Sequence, residues 1–112
     1  MNKDKQKKLE SIAHKVISSY FAEYLKEIES DFWLINIVKI KISSDLSYLD
    51  IFVSSFKNSD ILCKTLANYA QDITKALNKE IKIYKMPKVR FRYDNSWEIS
   101  QNIIQTINNL QN

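Results

Sequence analysis

Apolar residues recur at spacings of three and four through the first quarter of the chain. Leu9, Ile12, Ala13, Val16, Ile17, Tyr20, Phe21, Tyr24, Leu25 and Ile28 form one stripe, which predicts an amphipathic helix over residues 4–28. Lys15, Glu23, Lys26 and Glu27 fall off that stripe, and Asp31 with the pair Phe32–Trp33 marks the way out. From Leu34 to Ile42 the period changes to two, the mark of a strand. Ile35 and Ile37 share one parity, whereas Val38, Ile40 and Ile42 share the other. Such a switch predicts a bulge, or an early part buried on both faces. Ser43-Ser44-Asp45-Leu46-Ser47 supplies turn-forming side chains. Leu49, Ile51 and Val53 then alternate with Asp50, Phe52 and Ser54. Two alternating runs joined by so short a polar link predict an antiparallel hairpin.

Asn58, Ser59 or Asp60 can cap a second helix, whose stripe is Leu62, Leu66, Tyr69, Ala70, Ile73 and Leu77, ending near Glu80. Pro87 cannot sit inside a helix and disfavours one at Met86. It opens a strand from Val89 to Tyr93. Asn95 with Glu98 three residues on has the form of a capping box and starts a last helix with Ile99, Ile103, Ile104, Ile107 and Leu110 on its apolar side. The periodicities give α-β-β-α-β-α: an α+β layer with helices on one face of a three-stranded sheet. If Ile40, Ile42, Leu49, Ile51, Val53, Val89, Phe91 and Tyr93 face the helices, the pleat sets the opposite face. It carries Lys39, Lys41, Lys88, Arg90 and Arg92, with Asp50 and Phe52 among them.

The length of 112 residues fits one domain, 1–112, and 45% hydrophobic residues supply its core. No apolar run approaches the roughly 20 residues of a membrane span. The N-terminal MNKDKQKKLE has no apolar segment behind its lysines, so no secretory signal is expected. The single cysteine, Cys63, cannot form an internal disulfide, which fits a cytoplasmic protein. Glycine is absent altogether. That removes phosphate-cradling loops, dinucleotide fingerprints and the GxSxG elbow, because all need glycine where backbone approaches ligand or turns sharply.

Charge changes the picture through its distribution. The chain is +4 overall, yet residues 1–8 place four lysines against Asp4, and residues 75–92 place seven cations against Glu80. Two basic blocks on a slightly acidic body form an electrostatic footprint for an anionic partner. Lys75, Lys79 and Lys82, at spacings of four and three, are expected on one helix face, continued by Lys85 and Lys88 as a phosphate-binding ridge. Arg90, Arg92, Lys39 and Lys41 make a second candidate patch on the open sheet face, the alternative being charge that protects a sheet edge. Lys3, Lys5, Lys7 and Lys8 suit a flexible basic arm over residues 1–8, or a frayed helix end.

Little else suggests chemistry. Tyr93-Asp94-Asn95-Ser96 has the residues of a strand exit and helix cap, and Asp94 has no base or metal ligand nearby in sequence. One histidine, His14, and one cysteine, Cys63, do not make a metal site. No nucleophile–base pair is visible, so neither catalysis nor a cofactor is expected. Tyr20, Phe21 and Tyr24 are expected in the core. Trp33, Phe52 and Trp97 are less constrained, and Phe52 is a potential stacking platform if its face is open.

Two of these motifs resemble a known family. Ser43-x-Asp45-Leu46-x-x-Leu49-x-Ile51-Phe52-Val53 resembles the hairpin of ribosome-binding factor A, and Pro87-x-Val89-x-Phe91-x-x-Asp94-x-Ser96 resembles the same family's last strand and its exit. The resemblance spans nearly the whole chain. It implies a KH-like domain of the second type, α-β-β-α-α-β, to which the periodicity from Asn95 onward adds a further C-terminal helix. It also implies a non-catalytic assembly factor, bound to the small ribosomal subunit and its rRNA during late maturation and rRNA processing, with a role in cold adaptation. Under it, Lys75, Lys79, Lys82, Lys85, Lys88, Arg90, Arg92, Lys39 and Lys41 become candidate RNA contacts, the ridge from Lys75 to Lys88 ahead of the open sheet face, because KH domains usually hold RNA beside the helical edge of the sheet. A monomer without small-molecule substrate or membrane partner is expected. The family's middle helices meet at an Ala-x-Gly kink where other KH domains carry GXXG; Ala70-Gln71-Asp72 stands there in this chain. A shallower kink is therefore expected, and the GXXG backbone clamp on nucleotides is not available. The rival reading is a protein-interaction or membrane-surface module built on the basic amphipathic helix 4–28. Its polar flanks mix Glu10, Glu23, Glu27 and Glu29 with the lysines, which suits docking on a sheet better than on anionic lipid.

Overall fold

A computed structural model describes residues 3–83 and 85–95. The order is α1 (Lys3–Tyr24), α2 (Lys26–Phe32), β1 (Ile35–Ile42), β2 (Tyr48–Ser55), α3 (Ser59–Ala67), α4 (Ala70–Glu80) and β3 (Lys88–Tyr93). The sheet runs β1-β2-β3, with β1 antiparallel and β3 parallel to the central β2. Counting the bent α1–α2 pair as one element, this is the α-β-β-α-α-β order of a type II KH-like domain, an α+β fold. The final helix expected from Asn95 lies outside the described residues.

The long N-terminal helix is two. Leu25, at φ −106° and ψ 11°, leaves helical geometry between α1 and α2, although Leu25 N–H still donates to Phe21 O and Glu29 N–H to Leu25 O. The bend lets the chain curve around the core, where Leu25 and Phe32 are both buried. It also corrects one expectation: Tyr20 is buried and Phe21 half-buried, but Tyr24 is 58% exposed. Leu25 takes the inward position at that turn, so the stripe closes without Tyr24.

The parity switch in β1 is a bulge. The register shifts between Ile37 and Lys39, which makes Val38 the extra residue and leaves it exposed. Before the bulge Ile37 opposes Val53, and after it Ile40 opposes Ile51. Both parities therefore reach the helix side. That side holds Ile40, Ile42, Leu49, Ile51, Val53 and Val89 against Ala13, Ile17, Leu62, Leu66, Ile73 and Leu77. Phe91 and Tyr93 are half-buried and pack on the same cluster.

Side chains of α1 complete the edge strand. Gln6 Nε2 donates to Ile42 O, and Ile42 N–H donates to Glu10 Oε1 at 3.2 Å. Lys3, Lys5, Lys7 and Lys8 thus belong to the first turns of α1, beside a docked Gln6.

The hairpin turn is built on Asp45, whose Oδ1 accepts from Ser43 Oγ at 2.8 Å and Ser47 N–H at 3.0 Å. Tyr48 N–H in turn donates to Ser43 Oγ at 3.0 Å. The Ser47 amide, followed by the Ser43 hydroxyl, holds the Asp45 carboxyl below its ordinary 3.8. A carboxyl with a lowered folded pKa stabilises the fold above its unfolded value, and that contribution is lost as pH falls through the folded value. Asp45→Asn is therefore expected to lower the thermal midpoint at neutral pH, with the two curves converging in acid. A constant gap down to strong acid in a pH series of melts would remove the turn carboxylate as the cause.

The second helix is also two. Asn68 N–H donates to Thr65 O and Tyr69 N–H to Leu66 O, closing α3 with a tight turn, and Ile73 N–H donates to Tyr69 O to start α4. Both linking residues keep negative φ, −64° at Asn68 and −100° at Tyr69, so the break needs no glycine. Asp72 falls in the first turn of α4, where a carboxylate complements the helix dipole, and accepts from Tyr20 Oη at 3.4 Å. Asn58 does occupy the cap position of α3, but in the left-handed region at φ 57°, without a side-chain bond to the helix. Its Nδ2 donates instead to Asp31 O at 2.8 Å, tying α3 to α2.

Candidate nucleic-acid interface

The sheet face away from the helices is laid out in rows by the strand register. Lys39 on β1, Phe52 on β2 and Arg92 on β3 form one row; Lys41, Asp50 and Arg90 form the next; Tyr48 and Lys88 pair in the third. Five cations surround one carboxylate, so the face predicted from the pleat is basic in the structure as well. Its cations are not equivalent. Arg90 makes a bidentate pair with Asp50, Nε–Oδ1 at 2.7 Å and Nη2–Oδ2 at 3.1 Å. Its guanidinium carbon lies 3.8 Å from the centroid of the Tyr48 ring. Hydrogen bonding to Asp50 raises the Arg90 pKa further above its ordinary value. Arg92 Nε stands 3.9 Å from the same carboxylate and its side chain is 51% exposed. Lys39 Nζ sits 4.8 Å from the Phe52 ring centroid, within cation–π range. Lys41 and Lys88 project outward, both exposed.

The helical ridge is broken up. Lys75 and Lys79 share a face of α4 and line a groove with Tyr20, Tyr24 and Asp72, and Glu23 and Glu80 line an adjoining groove with Tyr20, Tyr24 and Lys79. Lys82 is not on that face: α4 ends at Glu80, and Ile81 is already extended at ψ 114°. Buried Ile81 anchors the chain's departure and turns Lys82 toward Lys5 and Lys8, with which it lines a separate groove. Lys85 is exposed in the loop before Pro87. The spacing of four and three therefore does not produce one ridge, and each part has carboxylates close by.

His14 is exposed, with Nδ1 3.4 Å from Ser18 Oγ. Cys63 is half-buried on α3, and burial pushes its thiol up from 9.0. Among the described residues no group of His, Cys, Asp and Glu is placed to hold a metal ion, and no helix is long and apolar enough to cross a membrane. Trp33 is exposed at the opposite end of the sheet from the hairpin, with Lys57 Nζ 5.6 Å from its ring; Trp97 lies outside the described residues. Tyr48 was not among the sequence candidates. Its parity with Asp50 and Phe52 was the available signal.

The family model for ribosome-binding factor A matches residues 5–107. The chain belongs to the ribosome-binding factor A family. Ribosome-binding factor A of Petrotoga mobilis is 34% identical over 104 residues, covering 92% of this chain and 88% of the relative. That of Kosmotoga olearia is 30% identical, covering 92% and 85%. Among solved structures, the crystal structure of ribosome-binding factor A from Thermus thermophilus superposes with a TM-score of 0.63 at 19% identity, covering 79% of this chain and 94% of that one. A Thermus thermophilus homology model of the factor, fitted into a cryo-EM map of its 30S complex, gives 0.52 at 17%, covering 70% and 91%. The ribosome-binding factor A motifs now have physical reasons. Asp45 organises the hairpin turn, Ile51-Phe52-Val53 is the centre of the middle strand, and Pro87 is buried just before β3. Asp94 N–H then donates to Val53 O at 2.8 Å as β3 ends.

Proposed function

We propose that the chain is a non-catalytic, monomeric, cytoplasmic assembly factor that binds the small ribosomal subunit, and that the open sheet face holds rRNA phosphates. The observation that carries the choice of face is the row layout, in which Lys39, Lys41, Lys88 and Arg92 surround an Asp50 whose oxygens are engaged by Arg90. Membership of a family of ribosome-binding factors, and a relative of the same fold fitted to a 30S complex, support the partner. On this reading Lys75, Lys79, Lys82 and Lys85 add long-range attraction rather than the main contact. The action is occupancy: a rigid basic face stabilises one conformation of immature rRNA, and it shifts folding only as far as it prefers that conformation over the alternatives.

Co-sedimentation with purified small subunits tests the proposal. The protein is expected to pellet with subunits at low salt and to be released as salt rises, because each phosphate contact returns counterions. Absence from the pellet at low salt, together with binding to anionic vesicles, would favour a membrane-surface module. That rival needs the apolar stripe of α1, and Ala13, Ile17 and Tyr20 are already buried in the core.

A further inference from the structure

The open face carries π surfaces as well as charge, in an arrangement that phosphate binding alone does not require. Phe52 sits at the centre of its row between Lys39 and Arg92, half-buried, with Lys39 Nζ 4.8 Å from its ring centroid. Tyr48 is 38% exposed at the end of the same strand. Over it lies the Arg90 guanidinium, 3.8 Å from the ring centroid and fixed from the side by both Asp50 oxygens. A guanidinium clamped by a carboxylate and resting on a ring is a flat plate in a defined place. Asp50 is thus a positioning residue: it directs Arg90, and Arg90 in turn engages the carboxylate that would repel phosphates.

Double-stranded RNA presents phosphates and 2′-hydroxyls in its accessible groove, with its bases stacked on one another. It has no use for such plates. Unpaired bases do, since each has a free π face and stacks on aromatic rings or guanidinium planes. Phe52 and Tyr48 are four residues apart on one strand, roughly 13 Å, so bases held on them are splayed rather than continuously stacked.

We infer that the open sheet face takes an unpaired, single-stranded RNA segment, its bases stacked on Phe52 and on the Arg90–Tyr48 pair and its phosphates held by Lys39, Lys41, Lys88 and Arg92. The inference rests on the proposed rRNA contact at this face and specifies the state of the RNA bound there.

The test measures binding of the full chain, by fluorescence anisotropy, to a labelled single strand of about ten nucleotides, within the usual range of single-strand sites. The same sequence as a blunt duplex and polyglutamate are the comparison ligands. The single strand is expected to bind about tenfold or more tightly than the duplex. Phe52→Leu keeps an apolar side chain and removes the ring; it is expected to weaken the single strand about five- to tenfold, as loss of one stacked base does, with the salt slope and duplex affinity unchanged. Tyr48→Leu should do the same, and its exposed position keeps the test decisive if Phe52→Leu fails to fold by circular dichroism. Equal affinity for strand and duplex, or both leucine variants binding like wild type, overturns the inference. If charge variants still release the protein from small subunits in that case, phosphate contact stands and only stacking falls. Tighter binding of polyglutamate than of either RNA overturns both, since the face would then be a site for acidic protein.

Discussion

Ile51→Ala is expected to lower the thermal midpoint by roughly 10 °C or more. Ile51 is fully buried at the middle of the central strand, opposite Ile40 on β1 and beside Phe91 on β3. Removing a buried isoleucine to alanine costs about 2–5 kcal/mol, the transfer of the lost methyl groups plus the cavity left behind. A domain of this size has only about 5–15 kcal/mol in total, and each kcal/mol moves its midpoint by roughly 4–8 °C. The site cannot collapse easily, because it is pinned by ladders on both sides and covered by helices. Val38→Ala is the matched control: the bulge residue is 40% exposed, and its change should stay within about 0.5 kcal/mol. Urea and thermal melts check the pair. Equal small losses at both positions would mean that the helix-side face of β2 is not the centre of the core.

The contrast between those two residues also explains what could be read in advance. A parity change between Ile37 and Val38 can be seen in the residues alone, and a bulge is its cheapest physical solution, so the face assignment of β1 followed correctly. The hairpin followed from the short polar link, since Asp45 and Ser43 supply local hydrogen bonds that depend on nothing distant. The open face needed only the pleat. By contrast, the bend at Leu25 leaves no mark in the periodicity, because Phe21, Leu25 and Glu29 keep their hydrogen bonds through it. Periodicity likewise ran α3 and α4 together, and only the family resemblance called for two helices.

The site was legible as a list of residues but not as a pattern of pairings. Spacing put Lys82 in line with Lys75 and Lys79, and the end of α4 at Glu80 removed it. That end is set by burial of Ile81, a tertiary cause. Nothing local distinguishes Arg90 from Arg92 either. The parallel pairing of β3 with β2 places Arg90 opposite Asp50 and next to Tyr48, residues some forty positions earlier. Once that pairing is known, Arg90 becomes part of the scaffold of the face, while Lys39, Lys41, Lys88 and Arg92 remain to meet an anion.

Reversing those four together, as Lys39→Glu, Lys41→Glu, Lys88→Glu and Arg92→Glu, is expected to weaken small-subunit binding at least about a hundredfold at low salt, since each lost phosphate contact becomes a like-charge repulsion. Alanine at the same positions should weaken binding less and flatten the dependence of log affinity on log salt by roughly 3, at about 0.7–0.9 per phosphate contact. Exposed side chains away from buried contacts change stability little, so melts of these variants should stay near wild type. The modest exceptions are the Lys39–Phe52 contact, worth about 0.5–1 kcal/mol at an exposed site, and the approach of Arg92 to Asp50 at 3.9 Å, an exposed pair worth about 0–1 kcal/mol. Arg90 is left in place because its loss would leave Asp50 unpaired and confound repulsion with rearrangement. The comparison set is Lys75→Ala, Lys79→Ala and Lys82→Ala, which removes three cations from the helical side against four from the sheet face. If the sheet face is the contact, that triple variant pellets with subunits nearly as wild type does. Release of the helical variant, with retention of the sheet variants, would move the interface to the α1–α4 side, where Tyr24 and Lys79 share a groove. The two faces lie on opposite sides of one layer of core, and a rigid domain presents them in different directions, so the two variant sets separate the possibilities without further assumptions.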